Sequence, residues 1–186
     1  MTSNNLDKTD LSILGLLQQN AELTNKEIAV QLHKSVATIH ERIRRLKETG
    51  YIKRIVAILD RKKIDKGLIA FSQVLLNDHA AKTLSSFEKE VVKFPEVMEC
   101  FQMTGTFDFI LRVATTDMEA YHIFYRKLAT LPNITTVQSF FVLSETKSET
   151  AYPLSWAIKG GLKGAVNGEA KKRPPNTFKG DSVSAS

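Results

Sequence analysis

The stretch Thr24–Gly50 reads TNKEIAVQLHKSVATIHERIRRLKETG and holds two helix starts, one tight turn and one helix stop. Thr24 and Glu27, three residues apart, form a capping box. The hydroxyl serves one unsatisfied amide of the first turn and the carboxylate reaches back to another. Ile28, Ala29 and Leu32 follow as a short buried stripe. His33-Lys34 makes the turn, Ser35 caps the next helix, and Gly50 ends it, because glycine accepts the left-handed conformation that closes helices. At roughly 100° per residue, Val36, Ile39, Ile43 and Leu46 fall within one apolar arc. Ala37, Thr38, Glu41, Arg44 and Arg45 fall on the opposite arc, with Arg42 on the flank.

Upstream, LDKTDLSILGLLQQN (Leu6–Asn20) places Leu6, Asp10, Ile13, Leu14 and Leu17 on one side at helical spacing, with Asp7 as N-cap. Downstream, YIKRIVAIL (Tyr51–Leu59) alternates and is predicted to be a strand. Three helices and a strand make a winged helix-turn-helix.

Regional charge agrees with that reading. The chain has a net charge of +6, divided as +5 over residues 1–66, −3 over 67–154 and +4 over 155–186. A basic end beside an acidic middle points to a polyanion partner for the basic end. Ala37, Thr38 and Glu41 near the start of the third helix are therefore expected to face DNA bases, with Ser35 among the DNA-binding residues. Lys34, Arg42, Arg44, Arg45, Lys53 and Arg54 are expected to grip phosphates of the duplex. The plainer account is a solvated helix face on which Glu41 and Arg45 form an i,i+4 pair. Caps, helical spacing and regional charge together favour the DNA-reading face.

Asp60–Gly67 (DRKKIDKG) is a polar hinge and the expected boundary between a first domain, residues 6–66, and a second, residues 67–154. In the second, LIAFSQVLL is a strand. Leu84, Phe87, Val91 and Phe94 step along one helix face. VMECFQM and DFILRVA are strands flanking the turn MTGTFDFI (Met103–Ile110). Tyr121, Phe124, Tyr125, Leu128 and Leu131 form a second helical face, Pro132-Asn133 ends it, and ITTVQSFFVL is the last strand. The order βαββαβ is a ferredoxin-like α+β arrangement with both helices on one side of an antiparallel sheet. The other side then carries Phe, Ile and Leu beside Gln73, Gln102 and Arg112, a face that predicts a homodimer.

No catalytic set stands out. His33, His40, His79 and His122 are scattered without metal-ligand spacing, so no metal and no cofactor are expected. Cys100 is the only cysteine, which excludes an internal disulfide, suits a cytoplasmic setting and predicts a buried, inert thiol. No run is apolar enough to span a membrane and the N-terminus does not read as a signal peptide. Gly105 permits the sharp reversal in MTGTFDFI, and Asp108 is placed to accept hydrogen bonds from nearby backbone amides.

Taken together, LDKTDLSIL and ELTNKEIAVQLHKSVATIHERIRRLKETGYI resemble the N-terminal domain of Lrp/AsnC (feast/famine) transcription regulators. VMECFQMTGTFDFILRV and LPNITTVQSFFVL resemble their RAM domain, over about Leu6–Leu154. The resemblance implies transcriptional control through a small effector, typically an amino acid, and dimers that often assemble into octamers. It places effector contacts at Thr104, Gly105, Thr106, Phe107 and Asp108, where amides would hold a carboxylate and Asp108 an amine. Further contacts fall at Val137 and Ser139, where the family often has two threonines. Glu22 stands where the family commonly has a basic residue. The tail, residues 155–186, lies outside the resemblance; with five of the nine glycines it is expected to be disordered. The competing function is a stand-alone amino-acid sensor or regulatory subunit, its N-terminal helices serving as a protein-binding arm.

Overall fold

The structure, a computed structural model, describes residues 6–154; the expected tail over 155–186 lies outside the described residues. The chain divides into two compact units. One holds the described residues up to Ile55 together with those from Glu149, and the other spans Val56–Ser148. The hinge expected at Asp60–Gly67 falls inside the second unit. There Lys62 N–H donates to Asp60 Oδ1 at 3.0 Å, Lys66 N–H to Arg61 O at 2.8 Å, and Asp65 takes a left-handed φ of 53°.

The first unit is a three-helix head: α1 (Lys8–Gln19), α2 (Asn25–Leu32) and α3 (Val36–Glu48). Each helix starts at the cap read from sequence. Asp7 accepts from the Asp10 amide, Thr24 exchanges bonds with Glu27, and Ser35 accepts from the Thr38 amide. Such caps contribute about 1 kcal/mol each. His33 closes α2 with φ 51°, and Gly50 follows α3 with φ 79°. Ile13, Ile28, Ala29, Ile39, Ile43 and Leu46 form the head's core. Val36, expected in that core, is 49% exposed: it is the first residue of α3, and the apolar arc closes only from Ile39 onward. Gln18 and Tyr152 exchange a reciprocal pair of side-chain-to-backbone bonds, which tie the segment after Glu149 to α1.

The strand predicted over Tyr51–Leu59 does not form. No strand is present there, and Ile55, Val56, Ile58 and Leu59 are all exposed. Alternation gives a segment the right side chains for pairing, but a ladder needs a second strand, and no described segment of this chain supplies one.

The second unit is the expected ferredoxin-like α+β layer: β1 (Leu68–Leu76), α4 (Ala81–Val91), β2 (Val97–Gln102), β3 (Phe109–Thr115), α5 (Met118–Leu128) and β4 (Ile134–Phe141). The sheet order is β2-β3-β1-β4, antiparallel throughout. One face buries Val74, Leu76, Leu111 and Val113 against Phe87, Val91, Tyr121, Phe124 and Leu128 of the helices. Tyr125, expected on that buried face, is exposed instead. The opposite face aligns Phe140, Phe71 and Arg112 in one row and Gln138, Gln73, Ile110 and Phe101 in the next. Arg112 Nε donates to Glu99 Oε2 at 2.8 Å on this face.

Cys100 is half-buried in β2 against the core. Burial, reinforced by nearby Glu88, pushes its thiol up to about 11. At pH 8 the native thiol should therefore alkylate with iodoacetamide about a hundredfold more slowly than the unfolded chain. Equal rates would show that Cys100 is neither desolvated nor near that charge.

Candidate nucleic-acid interface and effector site

The polar arc of α3 is exposed as the sequence predicts: Ala37, Thr38, Glu41, Arg44 and Arg45 face outward, with Lys34 and Ser35 exposed just before the helix. Lys53 and Arg54 are exposed beyond its end. The arginines, however, are already engaged. Arg44 donates to Glu41 Oε2 and Oε1 at 3.0 and 2.6 Å and to Glu48 Oε1 at 2.6 Å. Arg44's hydrogen bond holds the Glu41 carboxyl below the usual carboxylate range. The i,i+4 pair between Glu41 and Arg45 is absent, because Arg45 is turned to Asp10 of α1 at 2.6 Å. Arg42 donates to Asp7 at 2.6 Å and to Asp10 at 2.8 Å.

Asp10 itself is 1% exposed. Sequence placed it on the inward side of α1, but nothing local says which cations meet it; Arg42 and Arg45 lie 32 and 35 residues away. Burial works to raise the Asp7 carboxyl, yet bonds from the Asp10 amide and from Arg42 hold it below the ordinary value of 3.8. A lowered folded value means this contribution is complete at neutral pH and is lost only as pH falls through the lowered value.

In the second unit the turn between β2 and β3 exposes Thr104, Gly105 and Thr106, with Phe107 and Asp108 half-buried. Gly105 has φ 122°, a conformation that L side chains rarely adopt. Met103 N–H donates to Asp108 O at 2.7 Å, closing the turn. The Asp108 carboxylate accepts from the Leu76 amide at 2.8 Å, as expected of an aspartate beside a turn, and its other oxygen lies 3.1 Å from His79 Nε2. Asp108 thus fastens the turn to the end of β1, and His79, which sequence left isolated, is its neighbour.

Val137 and Ser139 lie apart from that turn, in a cavity of about 400 Å³ between β4 and α5 lined also by Met118, Tyr121, Tyr125 and Phe141. Two of its lining residues, Tyr121 and Ser139, close a ring of three hydroxyls with Ser72. Ser72 is 2.9 Å from Tyr121, Ser139 is 3.2 Å from Ser72, and the Tyr121–Ser139 bond completes it.

Comparison with known proteins adds the family. Residues 6–53 match the winged helix-turn-helix DNA-binding family, and residues 69–152 match the Lrp/AsnC ligand binding domain. The HTH-type transcriptional regulator Zrp of Zymomonas mobilis is 34% identical over 81% of this chain and 99% of its own. The chain belongs to the Lrp/AsnC family.

Solved Lrp/AsnC-type structures agree. An AsnC family transcriptional regulator from Agrobacterium tumefaciens superposes with a TM-score of 0.78 at 32% identity, covering 81% of this chain and 99% of that one. A transcriptional regulator from Neisseria meningitidis, solved as a complex with L-Met, superposes with a TM-score of 0.76 at 35% identity, covering 82% and 99%. The Lrp/AsnC protein described here is a transcriptional regulator with a helix-turn-helix DNA-binding domain and a ligand-binding domain. Among its described residues no helix is long and apolar enough to cross a membrane, and no cluster of ligating side chains is present.

Removing the Asp108 carboxylate leaves the Leu76 amide without its acceptor. Asp108→Ala is expected to lower stability by about 1–3 kcal/mol in urea unfolding. His79→Ala, at an exposed ring, should change it by less than about 0.5 kcal/mol. Equal effects would refute the assignment of Asp108 as the fastening group.

Proposed function

We propose that this regulator reads duplex DNA with the polar arc of α3, acts as at least a dimer, and is adjusted by an amino acid. The observation that carries the first part is the exposure of Ala37, Thr38, Glu41, Arg44 and Arg45 on the second helix of a helix-turn-helix pair. Small residues at its start let the helix enter the major groove. Lys34, Lys53 and Arg54 flank it where phosphates would lie.

Self-association is supported by the sheet face that α4 and α5 leave open. Phe71, Phe101 and Phe140 are exposed there beside Ile110. A second copy covers such a face better than water does. The unpaired apolar segment around Ile55–Leu59 adds to the surface that a partner would bury. Two heads in one dimer suit half-sites about 34 Å apart on one side of the duplex. Octamers, implied by the resemblance, require further contacts between dimers.

For the effector, the reading with most support is the turn Thr104–Asp108: its exposed backbone at Gly105 and Thr106 suits a carboxylate. The L-Met bound by the Neisseria regulator makes an amino acid the natural class to test. A second reading rests on the largely apolar cavity at Val137 and Ser139, which suits an apolar side chain.

Three measurements follow. In a mobility-shift titration, affinity for an upstream duplex should exceed that for random duplex and fall steeply with salt; equal affinity for both would refute specific reading. Phe71→Arg with Phe140→Arg should shift the protein to a smaller species in sedimentation, and an unchanged species would remove the open face from the interface. In a thermal-shift panel of the twenty amino acids, a binder at ten times its Kd adds about 1.4 kcal/mol of stability. Loss of that gain in Asp108→Asn supports the turn, and loss in Val137→Asp alone supports the cavity. If no amino acid raises the melting temperature, the effector class is wrong.

A further inference from the structure

We propose that Asp7 and Asp10 are positioning residues of the DNA-reading helix: they touch no DNA themselves but hold Arg42 and Arg45 in fixed poses and cancel much of their charge. This rests on α3 being the reading helix.

The geometry is a four-group cluster at the start of α1. Asp7 is the N-cap and Asp10 sits three residues on, each accepting from the other's amide at 2.8 and 3.2 Å. Two carboxylates this close repel. The positive helix end and two guanidiniums offset that repulsion. Arg42 Nη1 bridges Asp7 and Asp10, and Arg45 Nη2 takes the second oxygen of Asp10. The four formal charges sum to zero.

Burial makes the arrangement one-directional. Asp10 is 1% exposed, so a guanidinium that swings away to a phosphate strands a charge out of contact with water. The arginines are therefore kept, not lent. Both still have N–H groups directed elsewhere, because each engages the carboxylates through a single terminal nitrogen. Arg45 is 49% exposed, enough to present its remaining edge outward. Arg44 pairs with Glu41 and Glu48 of its own helix; those carboxylates are exposed, so the pairs lower the charge of the face without fixing Arg44 as Asp10 fixes Arg45. The α3 face thus offers oriented donors with little net positive charge. Such a face gains little from backbone phosphates in general and depends on fit to a particular groove. In functional terms, the acidic pair suppresses non-specific binding and so sets the specificity ratio.

The test uses the full-length protein and a duplex that the wild type selects from a random pool, with a scrambled duplex as the competitor. Affinities are read by fluorescence anisotropy across a salt series. Asp10→Asn should raise affinity for scrambled duplex about three- to tenfold and steepen its salt slope by about one, one added phosphate contact. The specific-to-scrambled ratio should fall about tenfold. In Asp10→Asn with Arg45→Gln, scrambled affinity and slope should return to wild-type values, because the freed cation is gone. A purely structural role for Asp10 would instead lower both affinities and leave the slope unchanged, and that result overturns the proposal. Asp7→Asn keeps a good N-cap while removing one of the two carboxylates that hold Arg42. It carries the test if Asp10→Asn fails to fold, with the same signs expected at smaller size. An unchanged slope and ratio in Asp7→Asn then overturns the proposal. If the wild type itself selects no duplex, the assignment of α3 as the reading helix fails, and the positioning role fails with it.

Discussion

An almost fully buried carboxylate is costly unless cations and hydrogen-bond donors reach it, and Asp10 imposes that constraint on the whole head. It sits in the first turn of α1, so the cations have to arrive from another helix. Arg42 and Arg45 of α3 provide them. The clamp ties α1 to α3 by charge, while Ile13, Ile28, Ile39 and Leu46 tie the three helices by apolar contact. The apolar core brings the helices together, and the clamp restricts which rotation of α3 leaves every buried charge paired. The residues then facing outward are the small and polar ones that a groove-reading helix needs.

The second unit is organised by a different asymmetry. Two helices cover one face of a four-stranded sheet, and the residues of the other face alternate out of the same strands. Val74 and Leu111 go inward while Phe71 and Ile110 go outward, because neighbouring residues of a strand point to opposite sides. An open face with aromatic rows is the direct result of covering a sheet once. The same geometry brings the β2–β3 turn to the end of β1, where Asp108 fastens it to Leu76. It also sets β4 beside α5, where Val137 and Ser139 line the cavity.

Much of this architecture is legible in the amino-acid sequence. The caps at Asp7, Thr24 with Glu27, and Ser35 are local chemistry between residues three apart, so sequence suffices for them. The βαββαβ order follows from two hydrophobic periods and the fold is as expected. What escaped depends on partners distant along the chain. Helical spacing puts Asp10 on the inward side of α1 but does not name the arginines that meet it. His79 had no visible partner until Asp108 was brought to it. The ring of Ser72, Tyr121 and Ser139 joins two strands and a helix. Tyr51–Leu59 shows the opposite failure: its alternation was genuine, but pairing depends on a second strand that the described chain does not supply. Val36 and Tyr125 each obey the helical period and still end up exposed, because the period says which side a residue is on and not how far the neighbour extends.

The central claim is that the exposed arc of α3 meets the bases. The most direct measurement places a photoreactive amino acid at Ala37 and, separately, at Lys66 as a control, then irradiates each protein on the selected duplex. Cross-linking to bases from position 37 and none from position 66 is the predicted result. Cross-linking from position 66 with none from position 37 would contradict it.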